Sequence, residues 1–293
     1  MEKLFKQISN GEKIAYLDLG KGKETLVLIH GNMSSGVHYK PIIERFQDDY
    51  HIIAPDLRGF GDSSYINRFD DLEDLAADVI ELLDILGIHD YIVAGWSTGG
   101  AVAMSMALKR PKEVKKMILI ESCSYRGYPV FKKNEMGQPV IGSFYTSKEE
   151  LALDPVQVAP MENIFKTGAT IYMKAVWDQV IYTVNKPEKA DDDLYLSETM
   201  KERCLVDVDW ALTRFNLSNF TNGVTEGNAN IKGIICPVIS FWGEKDIVVL
   251  EYMIDETVAA LNNCKKVKLQ NSGHSPLVDV PDKLAEEIRK FIR

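Results

Sequence analysis

Short apolar runs and amphipathic stripes alternate along the first 123 residues. Thr25–Leu26–Val27–Leu28–Ile29 is apolar almost throughout, the pattern of a strand buried on both faces of a parallel sheet. Tyr50–Ala54, Tyr91–Trp96 and Val114–Ile120 repeat it, and each is separated from the next by a helical pattern. Tyr39–Phe46 reads as a short helix. Leu72, Leu75, Ala76, Val79, Leu82, Leu83 and Leu86 recur at helical spacing, with Asp70 and Asp71 suited to the helix start and Gly87 to its end. Ala101–Ala107 forms another helix, stopped by Pro111. Before all of these, Phe5–Leu19 reads as a strand pair turning at Asn10–Gly11. Strand, helix, strand in this order predicts an α/β fold: a mostly parallel sheet with helices on both faces.

The alternation lapses after Cys123. Residues 124–229 show no comparable apolar strand; aromatics are scattered through helical or loop-like pieces broken by Pro129, Pro139, Pro155, Pro160 and Pro187. The sheet pattern then resumes with the strand Pro237–Trp242, the helix Tyr252–Leu261, the edge strand Lys265–Leu269 and the closing helix Lys283–Arg293. Residues 1–123 and 230–293 are thus expected to form one core, with 124–229 inserted as a mainly helical cap.

Composition changes this picture little. At 293 residues with 45% hydrophobic and 26% charged side chains, the chain is long enough for a large core. A net charge of −9 without a long basic run argues against a nucleic-acid partner. No stretch has the apolar length of a membrane span, and the first residues lack the apolar core of a signal peptide, so a cytoplasmic location is expected. Cys123, Cys204, Cys236 and Cys264 have neither zinc-ligand nor disulfide-framework spacing, and no metal or cofactor is expected.

The chemistry gathers at strand ends. Gly95–Trp96–Ser97–Thr98–Gly99 joins a strand to a helix through a sharp turn that would lift the Ser97 hydroxyl off the end of the sheet. Asp246 follows a later strand in Gly243–Glu244–Lys245–Asp246, and His274 follows the last one in Gly273–His274. A serine hydroxyl needs an imidazole to take its proton, and the imidazole needs a carboxylate to hold its tautomer. Among the other histidines, His51 and His89 start strands, His38 opens a helix, and His30 is assigned to supporting its own loop. Glu121 is the rival to Asp246; Asp279 reads as a helix-start acid. Asp56 and Arg58, in Pro55–Asp56–Leu57–Arg58–Gly59, are expected to fix that loop rather than react. Backbone N–H groups to hold an oxyanion are sought at Thr98, a helix N-terminus, and at Asn32 or, less favoured, Met33. Met33, Trp96, Tyr172, Trp177 and Trp210 are candidates for a substrate pocket, packing onto the core being the alternative for each cap aromatic.

These residues resemble those of α/β-hydrolases over nearly the whole chain. His30–Gly31–Asn32, Asp56–Leu57–Arg58–Gly59–Phe60–Gly61, Gly95–Trp96–Ser97–Thr98–Gly99–Gly100, Gly243–Glu244–Lys245–Asp246 and Gly273–His274 match that family's successive motifs. The resemblance implies Ser97 as nucleophile, His274 as base, Asp246 as orienting acid, and Asn32 and Thr98 as oxyanion amides. Arg126–Lys133, Leu205–Asp209 and His274–Asp279 are similar to intracellular short-chain polyhydroxyalkanoate depolymerases and to 3-oxoadipate enol-lactonases. The expected substrate is therefore a small ester, a lactone or a polyester; a perhydrolase and a small-ligand receptor on the same scaffold are the alternatives. Serine at position 97 argues against dehalogenase and epoxide-hydrolase chemistry, which use aspartate there.

Overall fold

The computed structural model describes residues 1–293. In chain order the core runs β1 (Leu4–Gln7), β2 (Lys13–Leu19), β3 (Thr25–Ile29), α1 (Lys40–Phe46), β4 (His51–Pro55), α2 (Leu72–Leu86), β5 (Tyr91–Trp96), α3 (Thr98–Lys109) and β6 (Val114–Ile120). The inserted stretch contributes β7 (Phe131–Lys133), β8 (Pro139–Phe144), α4 (Lys148–Leu151), α5 (Ala159–Thr167), α6 (Thr170–Val180), α7 (Lys189–Thr199) and α8 (Leu205–Arg214). The core then closes with β9 (Val238–Gly243), α9 (Glu251–Ala260), β10 (Cys264–Leu269), α10 (Pro276–Asp279) and α11 (Pro281–Ile292).

Eight strands pair in the order β1-β2-β4-β3-β5-β6-β9-β10, and β2 alone runs against the others. The alternation of side chains along a strand assigns the two faces. In β3, Val27 and Ile29 join the cluster packed under α2 and α3, while Leu26 and Leu28 join the cluster under α1 and α11. Both faces are covered by helices, which is why the strands carry apolar residues continuously instead of alternating with polar ones. The α2 pattern ends as its sequence implies: Gly87 closes it in the left-handed region, at φ 72°, and donates back to Asp84.

Buried side chains of the insertion belong to the same two clusters as the sheet. Val158, Met173, Trp177 and Leu205 join Trp96 and Tyr39, whereas Val208, Ala211 and Phe215 join the α2–α3 side. One expectation differs: the insertion does contain strand, the β7–β8 hairpin. Its β8 sequence PVIGSF carries Pro139 and Gly142 and is largely exposed, so neither propensity nor an apolar run marks it. No helix is long and apolar enough to cross a membrane.

Candidate active site

Ser97 sits between β5 and α3 with φ 54° and ψ −120°, a left-handed conformation that a non-glycine residue adopts at a cost of about 1–3 kcal/mol. The turn closes only because its neighbours lack side chains. A Cβ on Gly95 would lie 2.2 Å from the Gly99 carbonyl oxygen, and one on Gly99 would lie 2.2 Å from the Ile29 carbonyl oxygen. Strand and helix therefore cross at backbone contact, and the Ser97 N–H is held by the Ile120 carbonyl at 2.9 Å. Ser97 retains some accessible surface while its neighbours Trp96 and Thr98 are buried.

The parallel sheet brings the other candidates to the same edge. His274 Nε2 lies 3.0 Å from Ser97 Oγ, and His274 Nδ1 lies 2.8 Å from Asp246 Oδ2. The second Asp246 oxygen accepts the Val248 and Val249 N–H groups at 2.7 and 3.1 Å. Burial opposes the Asp246 charge, but the His274 ring and these N–H groups outweigh it, so its pKa falls below the ordinary value. An anionic Asp246 accepts from Nδ1–H, which leaves Nε2 bare toward the serine. The Trp96 indole N–H donates to the His274 carbonyl at 2.8 Å and braces the loop behind the ring.

The two rival acids have other roles. Glu121, fully buried with φ 43°, accepts the Gly243 N–H at 2.7 Å and lies against Asp246. Burial, with the Asp246 charge beside it, pushes its pKa well up, so Glu121 is held neutral. Asp279 is the acid of the single turn of α10, in keeping with a helix-start acid. Its carboxylate accepts the Gly273 N–H at 2.7 Å and the Asn185 N–H at 2.9 Å, joining the His274 loop to the insertion.

The remaining histidines stay away from the serine. His30 Nε2 accepts the Leu57 N–H at 2.9 Å, so its proton resides on Nδ1, which donates to the Gly31 carbonyl at 2.7 Å. Burial lowers its pKa to about 4, so the ring is a neutral loop pin. His38 caps the turn at Ser35 and stacks on Tyr195 at 4.9 Å between ring centroids. Asp56 and Arg58 hold their loop through different partners: Asp56 accepts the Gly36 and Asp62 N–H groups, each at 2.9 Å, and Arg58 clasps Asp78 with two bonds of 2.7 Å.

Of the two oxyanion alternatives in the first loop, the Met33 N–H is directed to Asn32 Oδ1 at 3.0 Å, which leaves the Asn32 N–H as the better candidate. The Asn32 side-chain amide in turn donates to Asp209 Oδ1 at 2.9 Å. Thr98 is the first residue of α3, where an N–H has no intrahelical acceptor.

The pocket candidates separate. Trp177 lies beside Trp96, with ring centroids 6.5 Å apart, and Trp210 belongs to the same buried cluster; Met33 is half-buried and packs against that cluster. Tyr172 does not belong to the pocket: it is 66% exposed. Met173 and Trp177, four residues apart, set the inward stripe of α6, and this phase turns Tyr172 to the outside. Two acids of the insertion that sequence reasoning passed over, Asp209 and Glu202, are enclosed near Asn32 and Met33. Glu202 lies in Lys201–Glu202–Arg203, which reads as a solvated run; Asp209, one turn along an apolar helix, is the weaker clue that was legible.

Asp84, His89 and Glu113 lie close enough at the surface to share a cation, whereas Asp56, Asp62 and Glu198 enclose the Lys3 ammonium. An open cavity of about 570 Å³ lies between Phe165, Met200 and the 61–64 turn, with Glu202 on its wall; Ser97, Asp246 and His274 do not line it.

Residues 26–287 match the sequence profile of the alpha/beta hydrolase family. The chain is 25% identical to Lipase 1 of Psychrobacter immobilis over 97% of its own length and 82% of that protein. It is 26% identical to the hydrolase YugF of Bacillus subtilis (strain 168), covering 93% and 91% of the two chains. An esterase from Exiguobacterium antarcticum superposes with a TM-score of 0.76 at 18% identity, covering 99% of each chain.

Proposed function

The chain belongs to the alpha/beta hydrolase family, and from that premise we propose that it hydrolyses carboxylic esters through an acyl-Ser97 intermediate. The unbroken hydrogen-bond chain from Ser97 Oγ through His274 to Asp246 is the observation that carries this reading. In the proposed cycle His274 Nε2 takes the Ser97 proton as the hydroxyl attacks the ester carbonyl, and then returns it to the leaving alcohol. A water entering the vacated space loses its proton to the same nitrogen and attacks the acyl carbonyl, and His274 Nε2 returns that proton to Ser97 Oγ as the acyl–oxygen bond breaks and the acid leaves. Asp246 keeps the proton of the ring on the far nitrogen and stabilises the imidazolium. The Asn32 and Thr98 N–H groups take the oxyanion; each such donor is worth about 2.7–4 kcal/mol of transition-state stabilisation.

Residues 124–229 act in this proposal as the cap, setting the acyl pocket with Trp177 and Trp210. The similarity to Lipase 1 of Psychrobacter immobilis supports an ester substrate. The four unpaired cysteines support a cytoplasmic location. The test is Ser97→Ala in the purified protein. Loss of turnover on a graded series of 4-nitrophenyl esters, with loss of labelling by a fluorophosphonate, is expected; full turnover in the variant refutes the reading. Ligand binding without any serine adduct in the wild type would favour a receptor. Running amorphous poly(3-hydroxybutyrate) and an enol-lactone in the same series assigns the finer class.

A further inference from the structure

Two carboxyl groups are enclosed next to the candidate oxyanion loop with no cation in hydrogen-bond contact with either. Asp209, on α8, is surrounded by protein yet keeps some accessible surface; its one polar side-chain contact is the 2.9 Å bond from Asn32 Nδ2. Glu202 is 4% exposed, and both of its carboxylate oxygens are buried without a hydrogen-bond partner. Its carboxyl faces Asp209 and the backbone of Met33, whose N–H is directed instead to Asn32 Oδ1. The nearby guanidinium of Arg203 is committed to the carbonyls of Gly61, Ser63 and Lys201. Glu162, on α5, adds a third negative group toward both acids, and Asp154 adds to the field at Asp209. Tyr128 lies in the field of both Asp246 and Asp209, its hydroxyl donating to the Val248 carbonyl at 3.1 Å.

A buried acid without a hydrogen-bond partner, as Glu202 is, is costly, and such a group is retained where a ligand completes it. We infer that Asp209 and Glu202 form a subsite beside the Asn32 N–H that takes a primary ammonium group carried on the acyl chain of the substrate. An ammonium offers three donors to a place that holds acceptors, and its positive charge favours ionisation of two acids that burial pushes toward the neutral form. A hydroxyl would satisfy one acceptor and leave both acids disfavoured as anions. Burial drives the Asp209 pKa to about 7, the behaviour of an acid lacking its cation. Glu202 also lies on the wall of the 570 Å³ cavity, between Lys201 and Arg203 in the chain. The Asn32 side chain links Asp209 to the residue whose N–H would hold the oxyanion, so the ammonium belongs within a few bonds of the ester carbonyl.

The inference rests on the ester-hydrolase reading, and its test separates the two. Three 4-nitrophenyl esters of equal size are compared: 3-aminopropanoate, butanoate and 3-hydroxypropanoate. The wild type is expected to favour the amino ester over butanoate in kcat/KM by roughly ten- to hundredfold, the worth of a charge-assisted hydrogen bond. That ratio should collapse toward unity in Asp209→Asn and in Glu202→Gln. Equal rates on amino and butanoyl esters, or a preference for the hydroxy ester over both, overturn the subsite while leaving the esterase reading intact. Calorimetric titration of the wild type with 3-aminopropanamide and butanamide decides the case independently of turnover. If no ester is cleaved, the esterase reading fails. Binding of the amino amide alone, lost in Asp209→Asn, still supports the subsite, and binding of neither amide overturns it.

Discussion

Lys3 provides a test of what ties the insertion to the core. Its ammonium lies 2.7 Å from Asp56, 2.8 Å from Asp62 and 2.5 Å from Glu198. Asp56 follows β4, Glu198 belongs to α7 of the insertion, and Lys3 immediately precedes β1, so one side chain joins three distant segments. The Lys3, Asp56 and Glu198 side chains are 7%, 1% and 6% exposed, whereas Asp62 at 37% is largely solvated and adds little. Lys3→Met preserves the aliphatic stem and strands two buried carboxylates. Removing one partner of a buried pair costs about 3–5 kcal/mol. Asp56 keeps the N–H bonds from Gly36 and Asp62, and Glu198 keeps Lys201 at 2.6 Å, so the lower end, about 3 kcal/mol, is expected. At about 2 °C per kcal/mol for a chain of this size, the melting temperature should fall by roughly 6 °C.

The pH dependence has a definite sign. The folded pKa of Glu198 is lowered: burial opposes its charge, and hydrogen bonds from Lys201 and Lys3 outweigh that. Its stabilisation is therefore present above its unfolded pKa and is lost as pH falls through the folded one. In Lys3→Met, Asp56 and Glu198 lose the cation that holds their protons off, and acid relieves the stranded charge. The gap between wild type and variant should be widest near pH 7.5 and narrower near pH 5. Thermal melts of both proteins at the two pH values measure it. A gap under about 1 kcal/mol at pH 7.5, or one that widens toward pH 5, refutes the reasoning.

Two further outcomes are expected. Asp246→Asn should keep the fold but remove control of the His274 tautomer, lowering ester kcat by about 10⁴; a loss below about tenfold would show that the Asp246–His274 contact does not orient the ring. Glu121, whose pKa burial and then the Asp246 charge push well up, stabilises the fold fully only below its unfolded pKa and less as pH rises toward its folded one. Glu121→Gln should therefore gain stability relative to wild type between pH 5 and pH 8 in urea melts, and a constant difference would contradict a neutral Glu121.

The sequence by itself determined the sheet and the nominees for its edge. Continuous apolar runs such as Thr25–Ile29 and Val114–Ile120 signal strands covered on both faces, and a parallel sheet collects its strand ends regardless of separation along the chain. Ser97, Asp246 and His274 could be named for that reason, because their positions follow from topology and not from local contacts. Only the tertiary structure decided the insertion. Tyr172 and Trp177 lie on one helix with similar local chemistry, yet packing against Trp96 fixes the rotation of α6 and sends one out and the other in. Lys201–Glu202–Arg203 carries charge at every position, and no periodicity separates the buried Glu202 from its neighbours. Burial of a lone acid, the caging of Lys3 and the meeting of Asp209 with Asn32 depend on contacts up to 195 residues apart in the chain. Local pattern encodes which face of an element is apolar; which charge lies beneath another element is set only when the elements pack.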